Sequence, residues 1–139
     1  MIQKNTHGFT MIELVIGIAI MGLLAAIAGY GVMNIYENMK VKTTKQSLKG
    51  VQNAIKLFNV DTNTYPTKLK DLVKRPENED IATNWGPKPY MDSEPVDNWG
   101  NKINYKPTPD GEHPYELYSY GSGGKKSPKS EWLNVWKIK

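Results

Sequence analysis

From Leu14 to Met33 the chain runs through twenty residues without a charge, LVIGIAIMGLLAAIAGYGVM, and directly before them stands one acid, Glu13. As a helix, this run is long enough to cross a hydrocarbon layer of about 30 Å. The rest of the chain must therefore be arranged around a segment that is not at home in water. A carboxylate at the head of such a segment costs free energy in lipid, so by default it is a functional residue in want of a partner. The plainer alternative is a side chain that reaches back to the aqueous interface.

Charge is sparse before residue 37. Lys4 and Glu13 cancel, so the formal +4 of the 139-residue chain belongs to the part from Glu37 onward, with 17 Lys and Arg against 13 Asp and Glu. That excess is mild and spread out, which reads as a solvated surface and not as a nucleic-acid footprint. There is no cysteine, so disulfides, thiol nucleophiles and thiolate metal ligands are excluded. The length has room for one modest domain beyond the apolar run.

Two plain readings of the N-terminus compete. Ala26 and Ala28 supply an A-x-A pattern, so one reading is a secretory signal cut after Ala28 to release a binding module; the other is a simple anchor. Against the cut, the apolar run continues past Ala28, and Glu13 stands where such signals carry apolar residues. Lysines beyond the run favour a cytoplasmic C-terminus by charge counting, with Lys4 alone opposing them.

The stretch Gly8-Phe9-Thr10-Met11-Ile12-Glu13 resembles the leader junction of type IV pilins and type II secretion pseudopilins. Gly22, Tyr65-Pro66-Thr67 and Asp97-Asn98-Trp99-Gly100-Asn101 follow in the order of the major pseudopilins of type II secretion. The resemblance covers nearly the whole chain and is strongest from residue 8 to 67. It implies a leader over 1–8, a membrane and fibre-core helix over 9–33, and a soluble pilin-like domain over 34–139. It implies cleavage between Gly8 and Phe9 by a prepilin peptidase and N-methylation of Phe9. It further implies residence in the inner membrane with the C-terminal domain in the periplasm, followed by assembly into a homo-oligomeric helical fibre with minor pseudopilins, on an inner-membrane platform. In that setting Glu13 would pair with the Phe9 ammonium of a neighbouring copy, a device for register more than for net stability. A type IV pilin for adhesion, motility or DNA uptake remains the alternative within this architecture; the absence of a cysteine pair and the WGN-plus-YPT arrangement disfavour it.

The remaining pattern predicts an α+β fold. Ile35, Met39, Leu48, Val51, Ile55 and Phe58 recur at helical spacing opposite a lysine-rich face, so one helix from about residue 10 to about 60, roughly 75 Å long, is expected. Gly17, Gly22, Ala25, Ala26, Ala28, Gly29 and Gly31 permit close helix packing in lipid. Tyr30 stands where the resemblance has proline, and Gly29 and Gly31 beside it make a candidate melting point. Pro66 ends the helix, a short helix follows over Lys68–Lys74, and Pro76–Asn101 reads as an irregular loop. That loop is either a contact to neighbouring subunits, as the resemblance implies, or a connector pinned by Trp85, Tyr90 and Trp99. Lys102–Lys106, Tyr115–Tyr120 and Trp132–Ile138 read as strands of a small antiparallel sheet, with Trp132, Asn134, Trp136 and Ile138 alternating onto one core-facing side.

No enzymatic function is expected. His113 is the only histidine outside the leader, and no phosphate-binding loop, HExxH or GxSxG occurs. Asp110, Glu112 and His113 read as a solvated turn. No cofactor is expected either. The resemblance implies calcium in the loop after the second strand, but Gly121–Glu131 offers one carboxylate, Glu131, beside Lys125, Lys126 and Lys129, so no specific metal site is predicted there.

Overall fold

A computed structural model describes residues 8–138. The predicted leader therefore lies, apart from Gly8, outside the described residues. The chain is organised as two units, one up to Asn38 and one from Met39 onward.

Helix α1, Met11–Thr62, supplies most of the first unit and the backbone of the second. It contains no proline, and it runs unbroken through Gly29, Tyr30, Gly31 and Gly50. The expected melting point near Tyr30 is thus helical. At its C-terminal end the Thr62 hydroxyl turns back to the Phe58 carbonyl at 2.8 Å. Asn63 then adopts a left-handed φ of 55° and donates its N–H to the Asn59 carbonyl at 2.8 Å, a common way for asparagine to stop a helix.

In the second unit α1 buries Thr44, Leu48, Val51, Ala54, Ile55, Phe58 and Thr62, the three- and four-residue spacing of one helical face. This face meets a three-stranded antiparallel sheet in the order β1 (Asn104–Pro107), β2 (Tyr115–Ser119), β3 (Leu133–Asn134). Tyr115, Leu117 and Ser119 of β2 point inward, as strand alternation requires. They close a core with Leu48, Val51, Ile55, Phe58, Leu69, Leu72, Ile103 and Val135. Phe58 is fully buried, and truncating a phenylalanine so placed to alanine costs about 3–5 kcal/mol.

Three elements differ from expectation. The short helix after Pro66 is a single 3₁₀ turn, Leu69–Leu72, fixed by the Asp71 carboxylate, which accepts the Thr67 N–H (2.9 Å), the Thr67 hydroxyl (2.6 Å) and the Lys68 N–H (3.1 Å). The loop from Pro76 holds one helical turn, α2 (Glu79–Ala82). It is tied down by Trp85 Nε1–H to the Asp71 carbonyl (2.8 Å) and by the Tyr90 hydroxyl to Asp61 (2.7 Å), with Tyr90 edge-on to both Phe58 and Trp85. The third strand is two residues long, because the Asn134 side chain accepts the Trp136 N–H at 2.9 Å and turns Val135–Lys137 into a 3₁₀ turn. Val135 is therefore the buried residue there, while Trp132 and Trp136 are only half-buried.

Candidate functional site

Helix α1 begins with a reciprocal cap. Thr10 is the residue before the first helical turn and Glu13 the third residue inside it. Glu13 Oε2 accepts the Thr10 backbone N–H and the Thr10 hydroxyl, each at 2.9 Å, and Thr10 Oγ1 accepts the Glu13 N–H at 3.3 Å. Two backbone donors that the helix itself leaves unpaired are satisfied in this way, and the carboxylate is turned toward the chain's N-terminal side. An acid in the first turn also faces the positive end of the helix dipole.

Around this cap the surface is apolar and uncovered. Phe9 is 89% exposed, and Met11, Ile12, Leu14, Val15, Ile16 and the large apolar residues onward to Met39 are exposed as well. Among the described residues, α1 is the one helix long and apolar enough to cross a membrane. A surface of this kind is stable against lipid or against other apolar helices, not against water. Gly8, Phe9 and Glu13, the residues predicted to carry function, thus lie together at one helix start. The glycines of this helix leave open space where a Cβ would stand. Thr10 escaped the sequence reading, although its three-residue spacing from Glu13 is the signature of such a cap.

The second unit has its own polar knot. Buried Asp97 accepts the N–H groups of Trp99 (3.0 Å) and Asn101 (2.8 Å) on Oδ1 and the Ser119 hydroxyl (2.6 Å) on Oδ2, and Ser119 Oγ accepts the Gly121 N–H (3.0 Å). Asn98 reaches α1, its N–H and side-chain amide both donating to Thr44 Oγ1 at 3.2 and 3.1 Å. The DNWGN segment therefore clips the start of the sheet to the helix. Gly100, with φ of 84°, makes the turn that lets it do so.

The loop after β2 does not fit calcium. Its one carboxylate, Glu131, is exposed, and Lys125, Lys126 and Lys129 are exposed beside it. Asp97, at the loop's root, has its oxygens occupied as described. The loop is closed instead by Trp132, whose Nε1–H donates to the Ser127 carbonyl at 3.0 Å and whose ring stacks on Tyr118 at 4.7 Å and meets Tyr120 edge-on. His113 likewise lies flat on Trp136 at 4.1 Å, with Asp110 and Glu112 exposed in its turn.

Comparison with known proteins places this geometry. A family model described as the prokaryotic N-terminal methylation motif matches residues 3–29, and one for protein G of the type II secretion system matches residues 31–136. Similar proteins include a type II secretion system core protein G of Pseudomonas aeruginosa, 34% identical over 126 residues with 88% of both chains covered. Another, of Escherichia coli, is 30% identical and covers 92% of this chain and 90% of its own. The fold is similar to a crystal structure of the major pseudopilin from the type 2 secretion system of enterohaemorrhagic Escherichia coli, with a TM-score of 0.64 at 20% identity over 76% of this chain and 94% of that one. With the fold, the helix start and both matches in agreement, the chain belongs to the protein G family of the type II secretion system.

Proposed function

We propose that this chain is the major structural subunit of a type II secretion pseudopilus, and that it acts by assembly and not by catalysis. The observation that carries the proposal is the uncovered apolar half of α1 with the Thr10–Glu13 cap at its head. In the inner membrane, lipid covers that helix and the C-terminal domain stands in the periplasm. A prepilin peptidase cuts between Gly8 and Phe9, and Phe9 is N-methylated. The new ammonium of one copy then meets the Glu13 carboxylate of another as the apolar helices exchange lipid for each other. Desolvated pairing makes this contact costly to leave half-formed, so it sets register. Growth of the homo-oligomeric fibre on its inner-membrane platform, together with minor pseudopilins, pushes secreted proteins through the outer membrane. The type IV pilin and secreted-module readings lack comparable support: the N-terminal methylation motif is matched over residues 3–29 and protein G over residues 31–136.

Processing tests the proposal. A Gly8→Val chain is expected to stay uncleaved in cells, and the wild-type chain to begin with methylated Phe9. The folded protein leaves open space at Gly8, so a block arises in the peptidase and not in folding. Normal maturation of Gly8→Val, or a wild-type N-terminus at Gly29, would remove the basis of the proposal.

A further inference from the structure

The outward face of the sheet carries a trough with aromatic ends and a polar middle. Tyr115, Leu117 and Ser119 of β2 point into the core, so Glu116 and Tyr118 point out, and the register sets Tyr118 beside Asn134 of β3. Two hollows of about 390 and 270 Å³ open here, and both are lined by Glu116, Asn134 and Lys137. An aromatic pair walls each end. Trp136 stacks on His113 at 4.1 Å in the larger hollow, and Trp132 on Tyr118 at 4.7 Å in the smaller. Both tryptophans are half-buried, and their indole N–H groups are spent on backbone carbonyls, Trp132 on Ser127 (3.0 Å) and Trp136 on Tyr115 (2.9 Å). What these rings offer a ligand is carbon, held rigid at little entropic cost. The polar groups between them are unspent. Among the described residues the exposed Glu116 and Lys137 make no ion pair, and Asn134 accepts the Trp136 N–H on its side-chain oxygen while its amide N–H groups stay open. Charge in the trough balances, Glu112 and Glu116 against Lys129 and Lys137.

We propose that this trough binds an uncharged oligosaccharide. The occupant follows from the lining. A sugar ring has an apolar face of C–H groups and a rim of hydroxyls that both donate and accept, which matches carbon walls with a carboxylate acceptor and amide and ammonium donors between them. Balanced charge gives neither an anion nor a cation an advantage. Aromatic walls with a few placed polar groups are the usual make-up of a small-molecule site, and the larger hollow, about 390 Å³, falls within the usual range of about 300–1,000 Å³. Lys129 holds its Nζ 5.8 Å from the centre of the Trp132 ring; being exposed, it can swing aside for a sugar to stack there. The inference goes beyond the pseudopilus reading and needs no assembly, so the two stand or fall separately.

Titration of the full-length chain with a β-1,4-linked N-acetylglucosamine tetramer tests it, in phospholipid nanodiscs because glycoside detergents would compete. The chain has four tryptophans, so their indole N–H resonances report by position. Saturable shifts of Trp132 and Trp136 are expected with Trp85 and Trp99 unmoved, at a dissociation constant of about 1 mM or tighter. Glu116→Ala combined with Lys137→Ala, both at exposed positions outside the core, is expected to weaken binding about tenfold while the Trp85 and Trp99 resonances stay as in wild type and report an intact fold. The wild-type shift map is decisive even if that variant folds poorly. No saturable shift, equal shifts at all four tryptophans, or a folded double variant that binds as wild type does would overturn the inference. Tighter binding of a proline-rich peptide at the same two tryptophans would assign the trough to a peptide and overturn it equally. None of these outcomes touches the pseudopilus reading.

Discussion

Thr10 and Glu13 hold each other through three hydrogen bonds of 2.9, 2.9 and 3.3 Å, all drawn on Glu13 Oε2 and Thr10 Oγ1 apart from the two backbone N–H groups. The acid at the head of the apolar helix is therefore oriented within its own chain before any neighbour arrives. In the assembly proposed above, an incoming ammonium would meet a carboxylate already fixed in direction, and less side-chain entropy would be lost in the pairing.

Removing the Thr10 hydroxyl should loosen that orientation while leaving the charge. Thr10→Val is expected to slow assembly several-fold, whereas Thr10→Ser, which keeps the hydroxyl, stays near wild type; serine and threonine are both good caps and valine is not. Cross-linked ladders from membranes give the readout. Equal ladders from Thr10→Val and wild type would mean that the cap serves the helix alone.

Ser119 and Asp97, twenty-two residues apart in sequence, make a buried bond of 2.6 Å that joins β2 to the DNWGN segment. Ser119→Ala leaves a buried carboxylate oxygen and the Gly121 N–H unpaired, which costs about 1–3 kcal/mol. For a domain near 100 residues this corresponds to a melting temperature lower by about 10 °C. Thermal melting of the chain from residue 34 onward measures it, and a drop under about 3 °C would show that water or a neighbouring group replaces the hydroxyl.

What was legible in the sequence was what acts locally. The apolar periodicity and the Asp61–Thr67 stop place the end of α1 within about two residues, and the aromatic and β-branched content of Tyr115–Tyr120 places β2, which ends one residue earlier at Ser119. The Trp132–Ile138 strand was not legible, because its period-two pattern is real but Asn134 caps the following turn and so buries Val135 in place of the tryptophans. The Asp97–Ser119 and Asn98–Thr44 bonds span 22 and 54 residues, and no spacing rule reaches that far. At the candidate site, Gly8, Phe9 and Glu13 stood out by motif. Thr10 carries its signal only in its three-residue spacing to Glu13, which the cost of a carboxylate in lipid does not reveal.

The loop from Gly121 to Glu131 gives a metal prediction. Trp132 and Tyr118 close it, and three exposed lysines accompany its one carboxylate. A ligand at a hundred times its dissociation constant stabilises a fold by about 2.7 kcal/mol, a melting shift of about 10 °C at this size. Millimolar calcium followed by chelator is expected to move the melting temperature of the soluble domain by less than about 5 °C; a larger shift would mean that backbone carbonyls and Glu131 suffice.

Assembly through the head of α1 is tested most directly at Glu13. The chain has no cysteine, so single cysteines introduced along the exposed apolar face, such as Ile16→Cys, report helix-to-helix contact between copies without background. In the full-length protein, Glu13→Ala and Glu13→Lys are expected to insert and be cleaved as wild type does, yet to yield single chains in place of cross-linked ladders. Ladders of wild-type length from both variants would contradict an intersubunit role for this carboxylate.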